Sequence, residues 1–264
     1  MAGFEYTFRG ALNQEEENEM LQYVKLNNFK NYTDVSGLAL IGVDLDEKAL
    51  ERFDIYAKLL VEWNEKINLT AITEPEDVIL KHFIDSLTIS KYIDNNKTLA
   101  DVGTGAGFPG IALKIYRNDL KITLVDSLNK RINFLNEVIK ELNLKEIKTV
   151  HSRIEDFGKN KEYREKFDYT TARAVANLSV LSEYLIPIAK IDGQCICMKG
   201  SNVKEEVDTS KNAIKILGGK IKKIEEFNLP KSDITRNVII IKKFKNTPDK
   251  YPRKAGIPAK EPLK

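Results

Sequence analysis

The chain has 264 residues, with 42 Lys and Arg against 39 Asp and Glu, a formal net charge of +3 and 42% hydrophobic residues. That length holds one substantial α/β domain with a smaller appendage, and the mixed charge is that of an ordinary soluble protein. Two cysteines, two histidines and no long apolar run exclude a disulfide framework, a Cys/His metal cluster and a membrane-spanning helix, and point to the cytoplasm.

Residues 1–43 carry an acidic cluster, Glu15-Glu-Glu-Asn-Glu19, and no sustained period. They read as an extension of unknown role, with one helix expected near Asn18–Phe29. Asp46 is placed to cap the first clear helix, along which Leu50, Phe53, Ile55, Tyr56, Leu59, Leu60 and Trp63 recur. Thr73-x-x-Glu76 around Pro75 starts a second helix bearing Val78, Ile79, Phe83, Leu87 and Ile89, which breaks at Asp94-Asn-Asn96. Residues 44–96 therefore form an N-terminal helical segment.

From 97 to 246 strands and helices alternate. Leu99–Val102 is an apolar strand, followed by Gly103, Gly105 and Gly107 and a helix over Ile111–Tyr116. Ile122–Asp126 is the second strand. A helix covers Leu128–Leu142, and Ile147–His151 and Phe167–Ala172 are strands three and four, the latter meeting Arg173. A helix holds Leu178, Leu181, Leu185 and Ile186. Gln194–Met198 is strand five, closing on Lys199-Gly200, and residues from Gly218 through a turn at Pro230–Asp233 to Ile241 form a hairpin. Such alternation implies a Rossmann-like doubly wound α/β sheet with a reversed edge strand, the layout of class I S-adenosylmethionine-dependent methyltransferases. The segment 247–264, basic and containing proline, has no period and is expected to pack on or near the domain.

Strand, glycine loop and helix in that order form the frame in which an α/β sheet holds a nucleotide-like ligand. Glycine lets the backbone turn sharply and lets a ligand lie against it. Gly105-x-Gly107-x-x-Gly110 formally matches a dinucleotide fingerprint, but counted from Gly103 the third position is Phe108, bulky where the helix must come close. Asp-x-Gly-x-Gly-x-Gly from Asp101 favours S-adenosylmethionine, which has no pyrophosphate to cradle. Asp101, a carboxylate in an apolar strand, suits a cationic ligand group or the loop's own N–H groups. Asp126 ends strand two about 20 residues past the first glycine, where such sheets offer an acid to ribose hydroxyls.

Several blocks together resemble one family, the bacterial GidB (RsmG) methyltransferases, which modify guanine N7 in small-subunit (16S) ribosomal RNA. They are Glu62-Trp-Asn-Glu-Lys-Ile-Asn-Leu-Thr-Ala-Ile-Thr73, Lys81-His-Phe-Ile-Asp-Ser-Leu87, Asp101–Gly110, Asp126-Ser-Leu-Asn-Lys-Arg131, and Arg173-Ala-Val175 with Lys199-Gly200. Arg236-Asn and Tyr251-Pro-Arg-Lys-Ala-Gly256 agree as well. The resemblance implies that Gly103 and Phe108 line an S-adenosylmethionine site, that Ile154 and Glu155 meet its adenosine end, and that Arg173 completes it. Gly105 and Gly107 belong to the same loop.

No general base is expected, because neutral guanine N7 offers a free lone pair. No metal ion is expected. The basic C-terminal part, with thirteen Lys or Arg against five Asp or Glu from Lys220 onward, suits a polyanionic partner, here ribosomal RNA or a ribosomal subunit. Lys81, His82, Arg131, Lys199 and Arg236 are the candidate RNA contacts, with His82 read first as a hydrogen-bonded structural residue. A monomer is the default oligomeric state. Two alternatives stay open on sequence alone: a methyltransferase of this fold acting on a protein or small molecule, and a non-catalytic RNA- or nicotinamide-binding protein.

Overall fold

The computed structural model describes Leu38 and residues 40–264; the helix expected near Asn18–Phe29 lies outside them. Seven strands form one sheet in the order β3-β2-β1-β4-β5-β7-β6. They are β1 Thr98–Val102, β2 Lys121–Asp126, β3 Ile147–His151, β4 Phe167–Arg173, β5 Ala189–Lys199, β6 Gly219–Asn228 and β7 Thr235–Lys243. The first five are parallel, and β7 runs antiparallel to both β5 and β6. This is the class I methyltransferase sheet with its reversed strand. Its central strands read as continuous apolar runs because helices cover both faces.

Helix α1, Glu47–Ile67, begins where Asp46 accepts a hydrogen bond from Ala49 N at 2.7 Å. Helix α2 is built of three contiguous pieces: α-helical Pro75–Val78, π-helical Ile79–Ile84 and α-helical Asp85–Leu87. Its N-cap is Glu74, with no side-chain cap, so the expected Thr73-x-x-Glu76 box does not form and Pro75 alone sets the first turn. The crossover helices are α3 Gly110–Tyr116, α4 Asn129–Glu141, α5 Ile154–Lys159, α6 Leu178–Leu185 and α7 Lys204–Ile216, and α8, Ile257–Lys260, lies in the C-terminal segment.

Phe53, Tyr56 and Leu60 of α1, Phe83 and Leu87 of α2, and Phe108, Ile111 and Phe134 share a single core on one face of the sheet. The N-terminal helices are thus a layer of the domain. The opposite core joins Phe157, Leu181, Leu185, Val207 and Ile214 to Tyr251 from the C-terminal segment. That segment packs against the domain: Tyr251, Pro252 and Pro258 are buried.

Candidate active site

The loop leaving β1 is shaped by four glycines with different reasons for being glycine. Gly105 has φ +61°, and a Cβ there would meet no atom within 4 Å, so this peptide faces open space. At Gly103 a Cβ would lie 2.9 Å from Val175 Cγ2 and 3.6 Å from Ile154 Cδ1, which places those two side chains as an apolar wall over the loop. Gly107 would strike the Tyr56 hydroxyl at 2.6 Å, and Gly110 would strike Leu124 Cδ2 at 2.3 Å. These last two are fixed by packing.

Two buried carboxylates tie the loop to the strand ends. Asp101 Oδ2 accepts from the Thr104 hydroxyl at 2.6 Å and from Gly110 N at 2.9 Å, whereas Oδ1 is buried without a donor among the described residues. Burial pushes the Asp101 carboxyl up to about 6, against the Thr104 hydroxyl, the Gly110 N–H and the Arg173 charge, which all pull it down. Asp126, at the end of β2, accepts from Gly105 N at 3.0 Å, Leu128 N at 2.9 Å and Arg131 Nη1 at 3.3 Å. It supports the loop directly. From the N-terminal layer the Tyr56 hydroxyl donates to the Ala106 carbonyl.

The second half of the site is a junction between β4 and the π-helical turn of α2. Arg173 Nη1 donates to the carbonyl of Lys81 at 3.0 Å and approaches Asp85 Oδ2 at 3.4 Å, and its Nη2 lies 3.0 Å from His82 Nδ1. Its guanidinium also sits 5.1 Å from the centroid of the Phe108 ring, on which His82 stacks at 4.5 Å. An arginine only donates, so Nδ1 of His82 accepts and Nε2 carries the proton toward Thr70 Oγ1, 2.9 Å away. Burial and the Arg173 charge hold the His82 ring well below the usual range, at about 3, so it is neutral at physiological pH. Its role is to fix geometry.

Beside this junction Lys81, His82, Asp85, Arg173, Met198, Lys199 and Arg236 line a cavity of about 390 Å³. Arg236 Nε donates to Asp85 Oδ2 at 3.1 Å. Lys199 Nζ bonds the Ala176 carbonyl at 2.9 Å and Glu206 at 2.7 Å.

Not every candidate residue points where the sequence suggests. The Glu155 carboxylate is turned to the C-terminal segment, accepting from Gly256 N at 2.8 Å, because α5 presents it to that side. Only its backbone is left for an adenosine. The Phe108 ring lies inside the N-terminal core, so its side chain braces the loop from below. Lys199 and Arg236 are anchored in the cavity wall and not solvated at a rim, while Lys81, about a third exposed, lines the cavity and Arg131, equally exposed, stands against Asp126 beside the glycine loop. Tyr56, Asp85 and Val175 escaped the sequence reading, since each acts only through a partner distant in the chain. Asp85 and Val175 do stand in the blocks that carry the resemblance, which is the signal that could have found them.

An adenosyl sulfonium fits this arrangement: an open peptide at Gly105, an apolar wall of Val175 and Ile154, and a buried acid at Asp101 with one oxygen free of donors among the described residues. A sequence model described as rRNA small subunit methyltransferase G matches residues 49–237. The ribosomal RNA small subunit methyltransferase G of Acetivibrio thermocellus is 57% identical over 230 residues, covering 87% of this chain and 95% of its own. That of Alkaliphilus metalliredigens is 51% identical over 230 residues, covering 86% and 96%. Among solved structures, TYW2 of P. horikoshii in complex with MeSAdo aligns with TM-score 0.51 at 15% identity, covering 62% of this chain and 63% of that one. That likeness shows the fold alone.

Proposed function

The chain belongs to the rRNA small subunit methyltransferase G family, and from that premise we propose that it methylates N7 of one guanine in small-subunit (16S) ribosomal RNA. S-adenosylmethionine, when bound, supplies a methyl group carried on a cationic sulfur. Gly105 leaves backbone room for it, Val175 and Ile154, packed against Gly103, give the apolar side, and Asp101 sets a negative charge behind the loop. Asp126, holding Gly105 N, keeps the crook in shape.

Guanine N7 is a neutral lone pair, so no proton has to be removed and no side chain is asked to act as a base. What the protein supplies is orientation, which for well-placed reactants amounts to about 7–11 kcal/mol of the barrier. The observation that supports this reading is that Arg173 and His82 line the basic cavity and also pack against the ring of Phe108, a residue of the glycine loop. A base in that cavity would lie next to the methyl donor. The target guanine must stand outside its stack to reach it. Lys81 and Arg131 would meet phosphates, with Lys199 and Arg236 deeper in. The reading implies work in the cytoplasm, where ribosomal subunits are made.

Mapping modified nucleotides tests it. Small-subunit RNA from a strain lacking the gene should lose one N7-methylguanine, and the wild-type gene should restore it; an unchanged modification pattern rejects the assignment. With the isolated protein, S-adenosylhomocysteine should raise the melting temperature. Stabilisation by NAD alone would overturn the cofactor.

A further inference from the structure

Asp85 is 2% exposed, yet it lines the cavity beside the glycine cradle. One oxygen, Oδ2, is held by Arg236 at 3.1 Å and by Arg173 at 3.4 Å. The other, Oδ1, is buried and has no donor among the described residues. A carboxylate has about four acceptor positions, and a buried one with half of them unused is costly unless something fills them. Two guanidinium groups on one oxygen fix the plane of the carboxylate and leave the other as the available acceptor.

We infer that Asp85 is the specificity residue for the base, its unoccupied oxygen accepting from the Watson–Crick edge of guanine. This rests on the reading that guanine is the acceptor. Guanine presents two adjacent donors there, N1–H and the 2-amino group, and the one free carboxylate oxygen, with two lone pairs, can accept from both. Adenine presents an acceptor at N1 and has no 2-amino group, so it would leave the buried oxygen unpaired. N7 lies on the opposite side of the purine from N1 and N2. A guanine held by that edge therefore turns N7 away from Asp85, and Arg173 connects Asp85 to Phe108 of the glycine loop. Arg173 and Arg236 act here as positioning residues for the carboxylate.

The test uses a small-subunit RNA fragment or subunit bearing the target guanine and the same substrate with inosine, which lacks only the 2-amino group. The wild-type enzyme should methylate the guanine form, and the inosine form should fall by about tenfold or more in kcat/KM, as expected for loss of a buried paired donor. Asp85→Asn should lose most activity on guanine, largely in kcat/KM, and treat guanine and inosine within about twofold of each other, while S-adenosylhomocysteine binding stays near wild type. A wild-type enzyme inactive on the guanine substrate would count against the methyltransferase reading itself. An active wild type that uses inosine as well as guanine overturns the role of Asp85, as does an Asp85→Asn enzyme that keeps full discrimination. Should Asp85→Asn fail to fold, the guanine-to-inosine ratio of the wild type alone decides, and it needs no variant.

Discussion

At the scale of single residues, Asp101 and His82 titrate against each other. The Asp101 carboxyl is raised from 3.8 to about 6, so between those values the folded chain holds a proton the unfolded chain has released. Its contribution is greatest below pH 4 and is lost as pH rises through 6. His82 is lowered from 6.5 to about 3, so over that interval the unfolded chain holds the extra proton. Its contribution is greatest above pH 6.5 and is lost on acidification. The two windows overlap with opposite sign, and the wild-type curve should be flatter than either group alone would make it. Asp101→Asn should lose stability more steeply than wild type as pH falls from 6 to 4, because only the His82 effect remains. His82→Gln should show the reverse slope difference. Urea unfolding midpoints at a series of pH values read this directly, and parallel curves for all three proteins would mean that neither group is coupled to folding as described. Both residues stand out in the sequence, Asp101 as an acid in an apolar strand and His82 as one of two histidines. Their environments do not: the Arg173 guanidinium that reaches both comes from 91 residues beyond His82.

At the scale of elements, the strands and most helices were legible because apolar runs are punctuated by glycine, proline and asparagine. The short helices α5 and α8, helix α7 and one local distortion were not. Helix α7, Lys204–Ile216, buries Val207, Ser210, Ala213 and Ile214, a stripe interrupted by a serine and an alanine among many charges, so its period is weak. The π-helical turn Ile79–Ile84 looks like ordinary helix in sequence, since its widening accompanies the docking of Arg173 against the carbonyls of Lys81 and His82. The glycine loop was legible as a motif, but the separate reason for each glycine was not. Gly110→Ala forces a Cβ to 2.3 Å from Leu124 and 2.8 Å from Asp101, and should cost about 1–3 kcal/mol in unfolding free energy as an overpacked core does. Gly105→Ala meets no neighbour and should cost only about 1–2 kcal/mol for its left-handed backbone. It should nevertheless weaken S-adenosylhomocysteine binding by tenfold or more, because the new methyl occupies the ligand's side of the peptide. Calorimetry on both variants checks the contrast; a Gly105→Ala protein with wild-type affinity would remove that peptide from the site.

At the scale of the whole molecule, some of the charge in the basic C-terminal part serves the fold. Lys243 is fully buried, its ammonium donating to Glu165 at 2.6 Å and to the carbonyls of Ile186 and Ala189 at 3.0 and 2.9 Å. Lys242 is engaged with Asp192. These lysines join strand β7 to the body of the domain, so neutralising Lys243 removes a core ion pair before it can report on RNA. The final segment is fastened in the same manner. Arg164 donates to the carbonyls of Thr247 and Tyr251, and Arg253 reaches Glu183 of α6 through Nε and Nη2, the latter at 2.7 Å. Glu183 has no exposed side-chain surface, whereas Arg253 is about a quarter exposed. Breaking such a pair from the arginine side leaves a buried carboxylate with only the Arg253 backbone N–H as donor, at 2.7 Å. Arg253→Ala should therefore cost about 3 kcal/mol, the lower end for a broken buried pair, because that N–H survives the substitution. Adding Glu183→Gln to it should recover part of the loss, since a neutral amide tolerates burial far better than an unpaired charge. The expected order in urea is wild type, then the double variant, then Arg253→Ala. If Arg253→Ala unfolds within about 0.5 kcal/mol of wild type, as an ordinary surface substitution does, then the segment is not held by this pair.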